Sequence, residues 1–287
     1  MFKNLLVPAT GEPEDEAVFA TALLAARIFA AHLEFLHVRV DTSEVLMSMT
    51  AGGVGGGDAV QAVIDRMEAD ATRLSAAARA TVEALLSGAG IALRDAPNGD
   101  GPTGEFTMEQ GSQSAWVGQV GRFADLMVMG RGGPENGAAE ALEAALLDTG
   151  KPLLIAPATA PASLGTRVVI AWKDTPEAAR AVSCALPFIA RAEQVTIVTV
   201  ADDASAPDAS ALRLLRALRW HNKAVEARTL PLERGSAVEV LQREAMALSA
   251  DLVVMGGYSH SRLREVVFGG FTRSTLAASS IPVLMAH

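Results

Sequence analysis

DLVVMGGYSHSRLREVVFGGFT, residues 251–272, decides the fold. Its opening, Asp251 to Met255, is apolar and β-branched and reads as a buried strand. Two glycines follow, then a polar, basic loop with Tyr258, Ser259, His260, Arg262 and Arg264. A second pair, Gly269 and Gly270, opens a helix expected from about Phe271. Strand, glycine loop and helix N-terminus in that order gather backbone N–H groups and a favourable dipole, the requirements of an anion site. The plainer alternative is a connection that needs glycine for its turns.

Working outward, the same plan occurs twice. DLVVMG (251–256) answers DLMVMG (125–130), and SIPVLMAH (280–287) answers GKPLLIAP (150–157). RVVIAWKDT (167–175) answers KNLLVPATG (3–11). In each half apolar strands alternate with helix-periodic segments. The first half has EDEAVFATALLAARIFAA after its first strand, a long alanine-rich helix over about Asp58–Leu86, and a helix around Ser114–Phe123. The second has PEAARAVSCALPFIA, with Pro176 suited to a first helical turn, then QVTIVTV, a helical piece over Leu212–Trp220, KAVEARTL and SAVEVLQREAMALS. Alternation of this kind implies parallel strands joined by right-handed crossovers. The expected fold is therefore α/β, two tandem doubly wound parallel-sheet domains. Their expected extents are 1–157 and 166–287, with the proline-bearing stretch 158–165 as linker. The first half also carries an insertion that includes AGGVGGG, ending at Gly57, with Met47 and Met49 before it.

Composition narrows the function. Half the residues are apolar and a fifth charged, with a net charge of −9. Residues 1–165 carry 10 basic and 21 acidic side chains, and residues 166–287 carry 14 and 12. An acidic total argues against general nucleic-acid binding, which depends on neutralising phosphates. The less acidic half is the one with the long glycine loop. No apolar run approaches the roughly 18 residues of a membrane span, and the N-terminal segment turns acidic at once, so a cytoplasmic protein is expected. The lone Cys184 excludes an intramolecular disulfide and is expected in the core. His32 and His37 lie in an alternating strand without ligand-spaced partners, and read as strand residues. Trp172 and Trp220 read as packing residues. Ser259 and His260 are adjacent and make no catalytic relay, so no enzyme activity is expected.

In a doubly wound sheet ligands bind beyond the carboxyl ends of the strands, where strand order reverses. In the second half this brings Trp172, Lys173 and Asp174 to one crevice with the segment from Gly256 to Ser259.

On GGYSHSRLREVVFGGFT and the ending IPVLMAH, the chain resembles a tandem member of the universal stress protein family, over nearly its whole length. The resemblance implies five-stranded parallel sheets, pairing of repeats through their last strands as an internal pseudo-dimer, and ATP, with magnesium, as the ligand of binding members. Binders of that family carry G-x2-G-x9-G-[ST] after the fourth strand and an acidic residue after the first. Position by position, Gly256 and Gly269 match, whereas Ser259 and Gly270 replace a glycine and a Ser or Thr, with Thr272 two residues on. Lys173 occupies the acidic position, and Val200 and Met255 match apolar positions near the adenine. The implied nucleotide site is Ala171, Trp172, Lys173, Val200, Met255, Gly256, Ser259, Gly269, Gly270, Phe271 and Thr272, with no catalytic residue and no protein metal ligand. In the first half Thr10 takes the acidic position and RGGPENG follows Gly130, so that repeat is expected to be empty. A nucleotide-free adaptor, using the glycine segment with Met47 and Met49 toward a partner, is the alternative. A further chain pairing on the final strand is a second expectation about assembly.

Overall fold

A computed structural model of the chain describes residues 1–42, 58–94, 101–131, 137–232, 236–257 and 280–287. The segment holding Met47, Met49 and the glycine run therefore lies outside the described residues. So does the loop from Tyr258 to Ser279, including Ser259, Gly269, Gly270, Phe271 and Thr272.

Ten strands form one sheet in the order β3-β2-β1-β4-β5-β10-β9-β6-β7-β8. The first repeat supplies β1 (Asn4–Pro8), β2 (His32–Arg39), β3 (Thr103–Gln110), β4 (Leu126–Met129) and β5 (Leu153–Ile155). The second supplies β6 (Arg167–Ala171), β7 (Gln194–Ala201), β8 (Val225–Pro231), β9 (Leu252–Gly256) and β10 (Val283–Ala286). Neighbours run parallel within each repeat. The exception is the seam between repeats, where β5 and β10 run antiparallel with Leu154 opposite Leu284. The two halves thus pair through their last strands as the resemblance implies. Because the seam is antiparallel, the carboxyl ends of the two strand sets lie at opposite edges of the sheet. The final strand has both of its edges paired, by β5 and β9. It leaves none for the second chain expected there.

Seven helices are described: α1 (Asp15–Phe29), α2 (Asp58–Ala89), α3 (Gln113–Val120), α4 (Ala138–Leu147), α5 (Pro176–Ile189), α6 (Ala209–Leu218) and α7 (Ala237–Ala247). They cover both faces and give two cores. One gathers Phe19, Phe29, Phe35, Leu154, Phe188, Val254 and Leu284; the other gathers Leu6, Met127, Leu146, Val198, Met255 and Met285. Each core draws from both repeats, which follows from strands buried on both faces. Phe188 of α5 meets the Phe29 ring edge-on at 4.8 Å and lies tilted against Phe2 at 5.7 Å across the seam. The stretch 158–165 is more than a linker. Leu164 is buried in the first core, and Gly165, at φ +73°, lies so close to Phe188 that a Cβ there would meet its ring at 2.7 Å.

The repeated Asp-Leu that opens β4 and β9 has one physical cause. Asp125 Oδ2 accepts from the N–H groups of Lys3 and Asn4 at 2.7 and 3.1 Å, and Asp251 accepts from Thr166 and Arg167 at 3.1 and 2.8 Å. Each carboxylate ties the start of its repeat's first strand to the fourth. These bonds also fix the true equivalence of the halves. Asn4 stands where Arg167 stands, one residue off the match of KNLLVPATG to RVVIAWKDT.

Two sequence expectations change. Trp220 is 90% exposed, because α6 ends at Leu218 and the following turn carries the indole into solvent. Cys184 is only partly buried, and its surroundings push the thiol pKa up, away from a reactive thiolate. The strand around Phe106 is a full-length edge strand of eight residues.

Candidate functional site

Strand order reverses between β6 and β9, and this brings Ala171 beside Met255 in register. Ala171 pairs with Val198 on its other side, and Val200 lies two residues further along β7. Met255 and Val198 are buried in the second core and Ala171 packs against it. Val200 shares their face by the two-residue period of a strand. Ala171, Val200 and Met255 therefore form a small apolar floor at the carboxyl edge of the second repeat. On the other face of β7, Thr199 is buried and its Oγ1 has no hydrogen-bond partner.

The mouth above this floor is polar. Lys173 and Asp174 are exposed, and the Lys173 carbonyl accepts from Thr175 N–H at 2.7 Å. Thr175 caps α5, accepting from Ala178 N–H at 3.3 Å, with Pro176 in the first turn. Glu177 in that turn is held below its ordinary pKa, first by its own backbone N–H and then by Thr175, Arg180 and His287. His287 closes the far side, its Nδ1 3.3 Å from the Gly257 carbonyl. Trp172 does not face a ligand. Its indole N–H donates to Ser210 Oγ at 2.9 Å, and Ser210 is in turn bound to Asp208, the cap of α6. The ring packs on the first core, as a packing residue should.

Gly256 has a different duty from the one expected. A Cβ there would meet Ala178 N at 2.6 Å and Glu177 C at 2.8 Å, so glycine is required for α5 to close on the end of β9. Gly257 is less crowded, with a Cβ there meeting the Leu146 side chain of the first repeat at 3.1 Å, and it donates to the Ala286 carbonyl at 2.8 Å. The described residues thus bring together Ala171, Lys173, Val200, Met255 and Gly256, and turn Trp172 away.

The first repeat narrows the matching place by other means. Asp15 is buried at 3% exposure and accepts from Thr10 N–H, Thr10 Oγ1 and Gly11 N–H at 3.2, 2.8 and 2.7 Å. Burial pushes its pKa up against the lowering effect of those bonds. A Cβ on Gly11 would strike the Leu74 carbonyl at 2.2 Å, so α2 sits directly on this loop. His37, also buried, joins the Ala9 carbonyl at 2.7 Å to Ser75 Oγ at 2.9 Å. His32 bonds Thr103 and pairs with Glu105, so both histidines act within the strands as expected. Among the described residues no group of three or more His, Cys, Asp or Glu could hold a metal.

A side chain that the sequence pattern did not single out stands at the end of β4. Arg131 has Nε and Nη2 buried without hydrogen-bond partners, and desolvation lowers its pKa. Its signal in the sequence is positional only: it follows DLMVMG where the second repeat has Gly257.

A paired α/β fold with a crevice at each reversal of strand order defines a class of tandem ligand-binding α/β proteins. The universal stress protein family model matches residues 166–287 of this chain. The whole chain is similar in fold to a universal stress protein from Archaeoglobus fulgidus DSM 4304. That likeness has a TM-score of 0.69 and 16% identity, covering 99% of this chain and 95% of that one. It is also similar to a functionally unknown protein from Pseudomonas aeruginosa PAO1, with a TM-score of 0.51, 14% identity and coverage of 99% and 92%. At these identities the likeness speaks for the fold. No curated protein sequence matches the chain. No described helix is long and apolar enough to cross a membrane.

Proposed function

We propose that this is a stress-response protein that binds an adenine nucleotide, ATP, in the crevice of its C-terminal repeat and does not turn it over. The observation that carries this is the apolar floor of Ala171, Val200 and Met255 at a strand-order reversal within the family-matched half. The floor suits the face of a purine. Lys173 beside it supplies a cation for phosphate. The bound nucleotide would contribute its phosphates as a charged signal. This chain's residues orient the base and neutralise charge. Magnesium would come with the nucleotide, since Lys173 takes the position of the expected carboxylate and repels a cation. The reading is of a binding protein without turnover, in the cytoplasm.

A second reading, a nucleotide-free adaptor, is favoured by Gly256. Its lack of a side chain serves helix packing. One experiment separates the two. Small molecules released from the purified, denatured protein are identified by mass, and magnesium ATP is titrated calorimetrically into the stripped protein. Co-purified adenine nucleotide, or a binding heat that disappears in Val200→Arg, supports the nucleotide reading. No nucleotide and no heat support the adaptor. Phosphate release above that of Val200→Arg would refute the non-catalytic part.

A further inference from the structure

We propose that the first repeat contains an oxyanion site organised by Arg131. The proposal is independent of the nucleotide reading, since it concerns the opposite edge of the sheet. In that repeat β1 and β4 pair with Leu5 opposite Leu126 and Leu6 opposite Met127. Continued past the strand ends, the register sets Arg131 level with Thr10, at the reversal of strand order. Sheets of this kind receive ligands at that place.

The two partnerless atoms of Arg131 are Nε and Nη2. They form one fork of the guanidinium, two parallel N–H groups spaced to meet two coplanar oxygens of a carboxylate or phosphate. A guanidinium stays charged at any ordinary pH, so burying this fork without oxygens carries an uncompensated desolvation cost. No carboxylate among the described residues offsets it. Asp15 is committed to Thr10 and Gly11, and no ion pair of Arg131 occurs among the described residues. The geometry asks for a small anion with two oxygens in one plane. A free phosphate, the phosphate of a nucleotide and a carboxylate all provide that group.

The test uses the full chain at low ionic strength, with inorganic phosphate, AMP and succinate titrated separately by calorimetry and thermal melting. At least one probe is expected to bind and raise the melting temperature, and the best of the three names the source of the oxygens. Arg131→Met is expected to weaken that probe roughly ten- to hundred-fold, the worth of a lost charge-assisted contact. Arg131→Lys keeps the charge without the fork and is expected to lose roughly ten-fold or more. It also serves as the readout where the methionine variant does not fold. Trp220→Ala, which alters an exposed turn residue of the second repeat outside both crevices, is expected to leave the binding unchanged. Failure of all three probes overturns the proposal. So does binding that survives both Arg131 variants, or binding that Trp220→Ala removes.

Discussion

Removing the carboxylate of Asp251 tests why the two halves share their most similar motif. Asp251→Ala deprives the N–H groups of Thr166 and Arg167 of an acceptor now at 3.1 and 2.8 Å. A hydrogen bond to a charged group contributes about 1.5–3 kcal/mol net in a protected place. Arg167 is exposed and Asp251 only partly buried, so water replaces part of the loss. The expected destabilisation is about 1–3 kcal/mol for the pair of bonds. Asp251→Asn keeps one oxygen and should lose roughly half as much. The twin substitution Asp125→Ala removes bonds of 2.7 and 3.1 Å to Lys3 and Asn4 and should cost a similar amount. The two sites share no partner, so their effects should add within about 0.5 kcal/mol. Urea unfolding followed by circular dichroism reads this as a lower midpoint at an unchanged slope. A loss below about 0.5 kcal/mol for Asp251→Ala, within the range of an ordinary surface change, would refute the idea that these carboxylates anchor the first strands. An effect confined to one twin would refute the claim that the repeated motif has one cause.

Three further outcomes are expected. Glu34 is held above its ordinary value of 4.5, first by burial and then by the Glu105 carboxylate opposite it on β3. The folded chain therefore binds more protons than the unfolded one just above pH 4.5, and stability falls as pH rises through that window. Glu34→Gln should be more stable than the parent at pH 7, with the two stability curves meeting below about pH 4; a variant less stable at pH 7 would contradict the assignment. Leu284→Ala, at a seam position with 0% exposure opposite Leu154, should cost about 2–5 kcal/mol in denaturant unfolding, and a cost under 1 would mean that the seam is not the shared core. Trp220→Ala should leave stability within about 0.5 kcal/mol while removing the most solvent-shifted part of the tryptophan fluorescence, because the indole is 90% exposed.

Most of the fold is legible in the sequence because its signals are local. Strands buried on both faces read as apolar runs, α5 announces itself with Thr175 and Pro176, and repetition supplies the halves without any tertiary knowledge. What the sequence hides depends on register and approach. A one-residue offset between the first strands cannot be seen until Asp125 and Asp251 show which N–H groups they hold. Gly256 matches a ligand-loop pattern, yet its close neighbour is the backbone of α5. Trp220 has the composition of a core residue and the position of a turn residue, and position prevails. Buried Arg131 looks like any loop arginine, since desolvation is a property of the folded surroundings.

The corrected register makes the two crevices comparable and gives their difference a form. In the second repeat Ala171 is level with Met255, so Lys173 is level with Gly257. In the first, Leu5 is level with Leu126, so Thr10 is level with Arg131. Each crevice thus carries one cationic side chain at the same height, but from opposite strands. In the second repeat it extends from the first strand and is exposed; in the first it extends from the fourth and is buried at its fork. An exposed ammonium on a flexible stem suits a ligand that spans an open crevice, with an apolar floor for its other end. A buried guanidinium fork suits a compact anion held at a fixed angle. The loop tied by Asp15 and covered by α2 takes away the space that a larger ligand would need in the first repeat. Duplication followed by exchange of the cation between strands therefore predicts two different ligand sizes on the two edges of one sheet. Equal affinities of Arg131→Met and Lys173→Met for every anion tested would show that the exchange has no functional consequence.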